Sequence, residues 1–382
     1  MRMNKSQDVL KELEKYRKKD FTFSSGRILG SMCTQPHPIA KKAYMRFLET
    51  NLGDPGLFPG SREIESKYVS FISDLLNAPK SSGSVIGSGG TESNITAIWL
   101  AKKLSGKKEV IIPNSAHFSF EKIASLMDIK LVTVPLNKEY VMDVSKVKKK
   151  ISKNTMAVVG VAGSTELGTI DSISELGDIC LDENIFLHVD AAFGGYVIPF
   201  LKELDYDVPD FDFKIKGVSS ISIDAHKMGC SAIPLGTLIV RDKHWLDKIG
   251  VESHCVSSKT QSGILGTRSG GPIAAAYAIS KYLGMNGYKK IVKQCMDNTH
   301  YLEKQLIDIG LKPIIKPTMN VIGVRLKKPD TIAKKLSDTG WKVNIMDRIS
   351  SIRVVVMPHV KRKTIDTFIP VLKKICKENG EI

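Results

Sequence analysis

One short segment places a histidine and a lysine side by side after an apolar run. Residues 219–229 read SSISIDAHKMG, so His226 and Lys227 directly follow what we expect to be a strand. A lysine taken at random is most often a surface group. A lysine at a strand end inside a cleft is different, because desolvation or a nearby cation lowers its pKa and makes the amine nucleophilic towards an aldehyde. We therefore predict a chemical role for Lys227.

A glycine-rich segment precedes a helical run and is suited to binding a phosphate. Residues 87–94 read GSGGTESN and lead into the apolar run 95–104. The glycines allow the backbone to approach a ligand closely, while hydroxyl groups and the free N–H groups of a new helix are good phosphate donors. A capped turn explains this segment equally well when it is taken alone. It also lacks the Gly-Lys-Ser/Thr ending of a nucleotide-binding P-loop.

A third segment ends an apolar run on an acidic residue. Residues 188–195 read HVDAAFGG, so only small or apolar residues follow Asp190. Burying an unpaired carboxylate is costly, and a cationic partner such as a protonated pyridine nitrogen would remove that cost. Taken alone, Asp190 could equally cap the next helix, and His188 could be a core histidine with its hydrogen bonds satisfied.

These segments lie within an alternation of short apolar strands and amphipathic helices, which indicates a mainly parallel, buried sheet. We predict strands at residues 109–113, 130–135, 156–160, 185–191, 219–223 and 236–240. Beyond residue 284 we predict a helix at 288–309, a strand at 321–326, a helix at 331–339, a strand at 351–356 and a C-terminal helix. The division that follows is a helical arm at 1–50, a large α/β domain at 51–283 and a small α+β domain at 284–382.

Composition narrows the class of protein further. The chain has 382 residues and a net charge of +16, but its lysines occur in short dispersed groups such as 148–150 and 361–363. This distribution predicts a solvated surface and argues against a nucleic-acid face. The six cysteines are scattered, which argues against a metal site or a disulfide framework. The first residues lack the apolar stretch of a signal or anchor, so we expect a soluble cytoplasmic protein with no membrane segment.

Together with residues 114–117, which read NSAH, the three segments resemble the group II amino-acid decarboxylases. These are fold-type I pyridoxal 5′-phosphate (PLP) enzymes, and the four motifs occur here in that family's order. The resemblance covers most of the chain. It implies an aspartate-aminotransferase-like α/β fold, PLP as cofactor and an amino acid as substrate.

The resemblance also implies roles for individual residues in this sequence. Lys227 would form the Schiff base with PLP, and His226, Gly90 and Thr91 would hold the phosphate. The residues expected around the cofactor ring are His117 stacked on one face, Ala192 on the other, Asp190 at the ring nitrogen, and Ser164 or Thr165 on a lining loop.

A later segment implies that the active sites are shared between subunits. Residues 266–270 read GTRSG and resemble the family segment that completes the neighbouring subunit's phosphate site. Gly266 and Thr267 would then bind cofactor in a homodimer. An ordinary helix-capping turn is the alternative.

Three further segments bring the resemblance closer to the archaeal tyrosine/aspartate decarboxylases. Residues 33–38 read CTQPHP, 53–60 read GDPGLFPG and 353–359 read RVVVMPH. Members of that group make tyramine for methanofuran and β-alanine for coenzyme A. Arg353 is the candidate for holding the α-carboxylate or a side-chain carboxylate of the substrate, with a surface strand arginine as the alternative, and His37 is a further candidate for substrate binding.

The sequence departs from many relatives at the expected proton donor. Those relatives place a tyrosine on a mobile loop before the GTRSG segment, whereas residues 251–257 here read VESHCVS. His254 could protonate Cα in its place, or Cys255 could simply fill the space. Loss of the tyrosine could also favour slow turnover or oxidative deamination.

Three other functions remain open at this point. A PLP-dependent carbon–carbon lyase of the sphingosine-phosphate lyase type shares the GGTES and His-Lys motifs, but normally has a membrane helix and a lipid channel. The positive charge motivates a PLP enzyme that binds tRNA. A non-catalytic PLP-binding module is the third.

Overall fold

The computed structural model describes residues 5–382, and a seven-stranded sheet forms its centre. The strands are β1 Gly83–Gly87, β2 Glu109–Pro113, β3 Lys130–Val134, β4 Thr155–Val161, β5 Phe186–Asp190, β6 Val218–Asp224 and β7 Gly236–Val240. Their order is β1-β7-β6-β5-β4-β2-β3, and only β7 runs against its neighbours. The predicted mainly parallel sheet of an α/β fold is therefore confirmed.

Helices cover both faces of this sheet, which explains why its central strands are apolar throughout. On β4, Val158 packs into the core on one face and Val159 into the core on the other. The helices up to residue 202 are α1 Lys5–Arg17, α2 Pro38–Arg46, α3 Pro59–Leu75, α4 Gly90–Ser105, α5 Ser119–Met127, α6 Val147–Lys150, α7 Ile173–Asp182 and α8 Ile198–Lys202.

The C-terminal third of the chain forms a second sheet with its own core. Its elements are α9 Gly270–Asp308, β10 Val321–Arg325, α10 Pro329–Asp338, β11 Asn344–Met346, β12 Ser351–Val355 and α11 Arg362–Glu378. The sheet is antiparallel in the order β10-β12-β11. Leu302, Trp341 and Phe368 lie in its core, and Leu29 joins them from the N-terminal segment.

Two parts of this region differ from the prediction. Helix α9 begins at Gly270 rather than at 288, and Gly284 interrupts it with φ 56° and ψ −171°, a conformation reached essentially only by glycine. Strand β11 is not predicted, because its three residues are too few to show the alternation of apolar and polar residues that marks a strand. A small hairpin of β8 Val251–Glu252 and β9 Thr260–Gln261 also went unpredicted.

The N-terminal 50 residues are only partly helical. Residues 26–37 between α1 and α2 contain no helix, and Ile28 forms a bridge to Lys342 beside the second sheet. The hydrogen bonds of this segment are therefore made with distant parts of the chain rather than within a helix. The first four residues of the predicted arm lie outside the described residues.

No helix within residues 5–382 is both long enough and apolar enough to cross a membrane.

Candidate active site

A cavity of about 390 Å³ lies at the carboxyl ends of the central strands, beside the N-terminus of α4. This is the edge of an open α/β sheet at which ligands usually bind. The residues predicted from the sequence that line the cavity are Gly90, Thr91, His117, Thr165, Asp190, Ala192, His226 and Lys227. Segments more than a hundred residues apart in the chain therefore meet at one site.

Asp190 is the buried acid at the end of β5, and its neighbours keep it ionised. Asn94 Nδ2 donates to Asp190 Oδ2 at 2.9 Å, and the Ala192 N–H donates to Oδ1 at 3.1 Å. Burial raises the pKa of Asp190, but the charge of Lys227 and these donors outweigh this effect and leave the pKa below its ordinary value. An ionised carboxylate at this position can hold a proton on a pyridine nitrogen.

Asn94 and His188 form the polar chain behind Asp190. Because Asn94 Nδ2 donates to the carboxylate, Asn94 Oδ1 must accept from His188 Nε2, which lies 2.9 Å away. His188 Nδ1 then accepts from the Ser220 hydroxyl at 2.8 Å. Burial lowers the pKa of His188 to about 4 even though Asp190 acts in the opposite direction, so the imidazole is neutral. His188 is thus a buried histidine with satisfied hydrogen bonds that helps to fix Asp190.

Lys227 pairs with the carboxylate of Asp224 and also feels the charge of Asp190, so its setting is neither apolar nor cationic. Its Nζ is 3.1 Å from Asp224 Oδ2, and Asp224 is itself buried at the end of β6. Burial lowers the pKa of Lys227, but Asp224 and Asp190 outweigh this effect and the pKa is raised. The lowered pKa that the sequence suggested is therefore wrong, because the sequence motif did not reveal that Asp224 pairs with Lys227.

Glycines create the space at the N-terminus of α4. Gly89 has φ 157°, and a Cβ on it would lie 3.2 Å from His226 Cε1. A Cβ on Gly90 would lie 3.0 Å from the Ala192 Cβ, which is tight for a real side chain. The backbone here approaches the cavity closely and points the first N–H groups of a helix towards it, as phosphate binding requires. Together with Lys227 and Asp190, these features fit PLP.

His117 and Thr165 occupy the side of the cavity that leads to the second sheet. His117 Nδ1 accepts from the Ser119 N–H at 3.2 Å, and burial lowers the pKa of this histidine despite the nearby carboxylates, so its ring is neutral. Of the two residues predicted on the lining loop, Thr165 lines the cavity. The buried Ser164 hydroxyl is instead hydrogen-bonded to the Thr169 hydroxyl at 2.8 Å.

Arg353 lies in an adjoining cavity of about 380 Å³, which shares His117, Thr165 and Lys227 with the first. It is not a surface arginine: only 4% of it is exposed. Its two terminal nitrogens donate to the carbonyl groups of Thr165 and Gly30, while its buried Nε has no partner among residues 5–382. Burial lowers its pKa to about 10, so the guanidinium remains charged near neutral pH.

Besides Ser164, four predicted site residues lie outside both cavities. His37 Nδ1 accepts from the Ile39 N–H at the start of α2, and its ring packs against Tyr282. His254 is exposed between β8 and β9, and Gly266 and Thr267 are exposed just before α9. None of these four residues lines either cavity of the chain.

Sequence reasoning missed two residues that this arrangement depends on. Asp224 stands in the same segment as Lys227, but its spacing of three residues gave no sign that both side chains turn towards one cavity. In the sequence, Asn94 stands out only as part of the segment that begins a helix. A buried asparagine is informative only once the acid and the histidine that it joins are known to be adjacent.

The fold and the site together define a fold-type I PLP enzyme, and comparison with known proteins identifies its family. Residues 51–319 match the pyridoxal-dependent decarboxylase conserved domain. The chain therefore belongs to the pyridoxal-dependent decarboxylase family, and its cofactor is PLP.

Individual relatives agree with this family assignment. A probable L-tyrosine/L-aspartate decarboxylase of Methanothermobacter thermautotrophicus is 46% identical, covering 93% of this chain and 98% of that protein. An L-aspartate decarboxylase of Thermococcus kodakarensis is also 46% identical, covering 97% of both chains. Among solved structures, the sphingosine-1-phosphate lyase of Burkholderia pseudomallei superposes with a TM-score of 0.90 at 26% identity, covering 98% of this chain and 91% of that one.

Replacing Asn94 by leucine tests the polar chain behind Asp190. The substitution keeps a similar volume but leaves His188 and Asp190 without a shared partner, so we expect a loss of about 2 kcal/mol or more in the free energy of unfolding. We also expect weaker PLP binding. Denaturant titration and a PLP titration measure the two effects, and Asn154→Leu on the surface is the matched control. Unchanged stability together with unchanged PLP affinity in Asn94→Leu would contradict the proposed support.

Proposed function

We propose that the protein removes the α-carboxylate of L-aspartate, L-tyrosine or both, with PLP bound to Lys227. The observation that most directly supports this is the meeting of Lys227 and Asp190 in one cavity that opens onto Arg353. The names of the relatives at 46% identity support the same two substrates. The products would be β-alanine, a precursor of coenzyme A, and tyramine, a precursor of methanofuran.

Most of the residues predicted from the sequence that line the cavity have a proposed part in this reaction. When bound, PLP supplies an electron sink for the negative charge left at Cα as carbon dioxide departs. Asp190, fixed by Asn94, keeps a proton on the ring nitrogen and so keeps the ring cationic. The space for the ring lies between His117 and Ala192, and His226, Gly90 and Thr91 bind the phosphate.

Arg353 is proposed to bind a substrate carboxylate. Its buried and charged guanidinium is held in place by two backbone carbonyl groups, and its buried Nε–H has no partner among residues 5–382. A fixed arginine is well suited to orient a carboxylate. Because it is a cation, it favours aspartate if it binds the side chain, and it favours neither substrate if it binds the α-carboxylate.

We further propose that two copies of the chain share their active sites. His254, Gly266 and Thr267 are exposed and lie away from their own cavity, which is where residues that serve a partner must lie. Thr267 and Gly266 would complete the partner's phosphate site, and His254 would protonate Cα. The helical arm, the division into domains at 50 and 283, and the cytoplasmic location remain predictions from the sequence.

A carbon–carbon lyase is the second candidate, supported by the likeness to the Burkholderia lyase. At 26% identity this relative is more distant than the decarboxylases at 46%. Decarboxylation is therefore the preferred function.

Lys227→Ala tests the cofactor lysine and, with it, the reaction. We expect the visible absorbance of lysine-bound PLP to disappear, because alanine has no amine to bond the aldehyde. In the unsubstituted chain, incubation with PLP and each of the twenty amino acids should give carbon dioxide and an amine from aspartate or tyrosine. No amine from either would refute the substrate proposal, and absorbance that persists in Lys227→Ala would refute the role of Lys227.

Arg353→Gln tests which carboxylate the guanidinium holds. If it holds the α-carboxylate, kcat/KM should fall about tenfold or more for every substrate, the usual cost of losing a charged hydrogen bond. If it holds a side-chain carboxylate, the loss should be confined to aspartate. Arg325→Gln, on the surface of the same sheet, should leave kcat/KM unchanged. Full activity of Arg353→Gln on all substrates would exclude both roles.

Mixed dimers test the sharing of sites. The glutamate of Thr267→Glu should repel the phosphate of PLP in the partner's site, and Lys227→Ala removes the amine that bonds PLP. Each variant alone should therefore be inactive. A mixed dimer has one site with an intact Lys227 from one chain and an intact Thr267 from the other. Activity should therefore return on mixing the two under conditions that allow subunit exchange. If exchange is demonstrated and no activity returns, Thr267 does not act on the partner.

A further inference from the structure

The proposed reaction uses Asp190 but gives no part to the second carboxylate beside Lys227. Asp224 ends β6, and its Oδ2 is 3.1 Å from Lys227 Nζ and 3.7 Å from His226 Nε2. Only 2% of its side chain is exposed, and its Oδ1 has no hydrogen-bond partner in the described part of the chain. Lys227 is therefore the cation that compensates for the burial of Asp224.

The walls around Asp224 keep the carboxylate next to this lysine. A Cβ on Gly90 would lie 3.1 Å from Asp224 Oδ2, and one on Gly236 would lie 2.7 Å from Oδ1. The backbone N–H of Asp224 donates to the Ala192 carbonyl at 3.2 Å, which fixes the end of the strand. The carboxylate thus fills the space left by two glycines and has no exposed position nearby.

The other titratable groups that act on this carboxylate do not replace Lys227. They are His226 on its own turn and Cys33, His117 and Tyr68 on neighbouring segments, while Asp190 on β5 acts on Lys227 itself. Burial lowers the pKa of His117 and raises the pKa values of Cys33 and Tyr68, so these three are neutral near neutral pH. Lys227 is the only lysine or arginine in the set.

We propose that Asp224 is a positioning residue that holds Lys227 Nζ as an ammonium ion and thereby limits how fast this lysine bonds the aldehyde of PLP. An ammonium nitrogen has no free electron pair. Lys227 must first lose a proton to water; the amine then forms the carbon–nitrogen bond, and the aldehyde oxygen leaves as water. The raised pKa of Lys227 agrees with this role. The inference rests on Lys227 as the cofactor lysine and is independent of the substrate.

Asp224→Asn tests the inference because it keeps the shape of the side chain and removes its charge. Full-length chain is freed of cofactor with an aminooxy compound, and the visible absorbance is followed after PLP or pyridoxal is added across a range of pH. We expect capture about tenfold faster at neutral pH, corresponding to a pH profile displaced downwards by about one unit. The effect should appear with both aldehydes. Pyridoxal lacks the phosphate, so it separates an effect on the amine from relief of repulsion between Asp224 and the phosphate.

Asp224→Glu keeps the charge and should retain the pH profile of the unsubstituted chain, and Asp247→Asn removes an exposed carboxylate and should change nothing. If Asp224→Asn does not fold, Asp224→Ser takes its place with the same expectation. An unchanged rate and pH profile would overturn the proposal, as would an acceleration seen with PLP alone. Failure of Lys227 itself is distinguishable, because Lys227→Ala would then keep its absorbance.

Discussion

The structure depends most on placing a charged carboxylate, Asp190, inside a protein core. A buried acid that is left without partners loses its charge or destabilises the fold. Here the partners come from three parts of the chain: an amide on α4, the backbone after β5 and the amine of Lys227. The carboxylate therefore requires these elements to meet at one edge of the sheet, and the same meeting defines the cavity. The position of the site and the stability of the core are linked for this reason.

The small residues around the cavity allow the same elements to approach one another closely. Gly89, Gly90 and Gly236 leave out side chains where the start of α4 meets the ends of β6 and β7. The space gained is used partly by the Asp224 carboxylate and partly by the cavity. A motif that reads as a turn in the sequence is therefore a close contact between three segments, and larger side chains there would separate them.

The region around Arg353 connects the two sheets of the molecule. Arg353 belongs to β12 of the second sheet, yet its guanidinium is bonded to carbonyl groups of the N-terminal segment and of the loop after β4. Nearby, Arg348 forms an ion pair with Glu166 at 2.8 Å, also across the two parts. The substrate side of the site is thus built from contacts between parts of the chain, whereas the cofactor side lies mainly at the ends of the strands of the central sheet.

The sequence by itself determined the class of fold and predicted which lysine binds the cofactor. Both are encoded locally: buried parallel strands are continuous apolar runs, and the motifs around Lys227 and Asp190 stand at strand ends. Only the tertiary structure decided that Lys227 is charged, that Thr165 rather than Ser164 lines the cavity and that Arg353 is buried. Ionisation depends on distances between charges and on desolvation, which segments distant in sequence set together. Asp224, three residues from Lys227, was visible in the sequence throughout, but its effect became clear only when the distance between the two side chains was known.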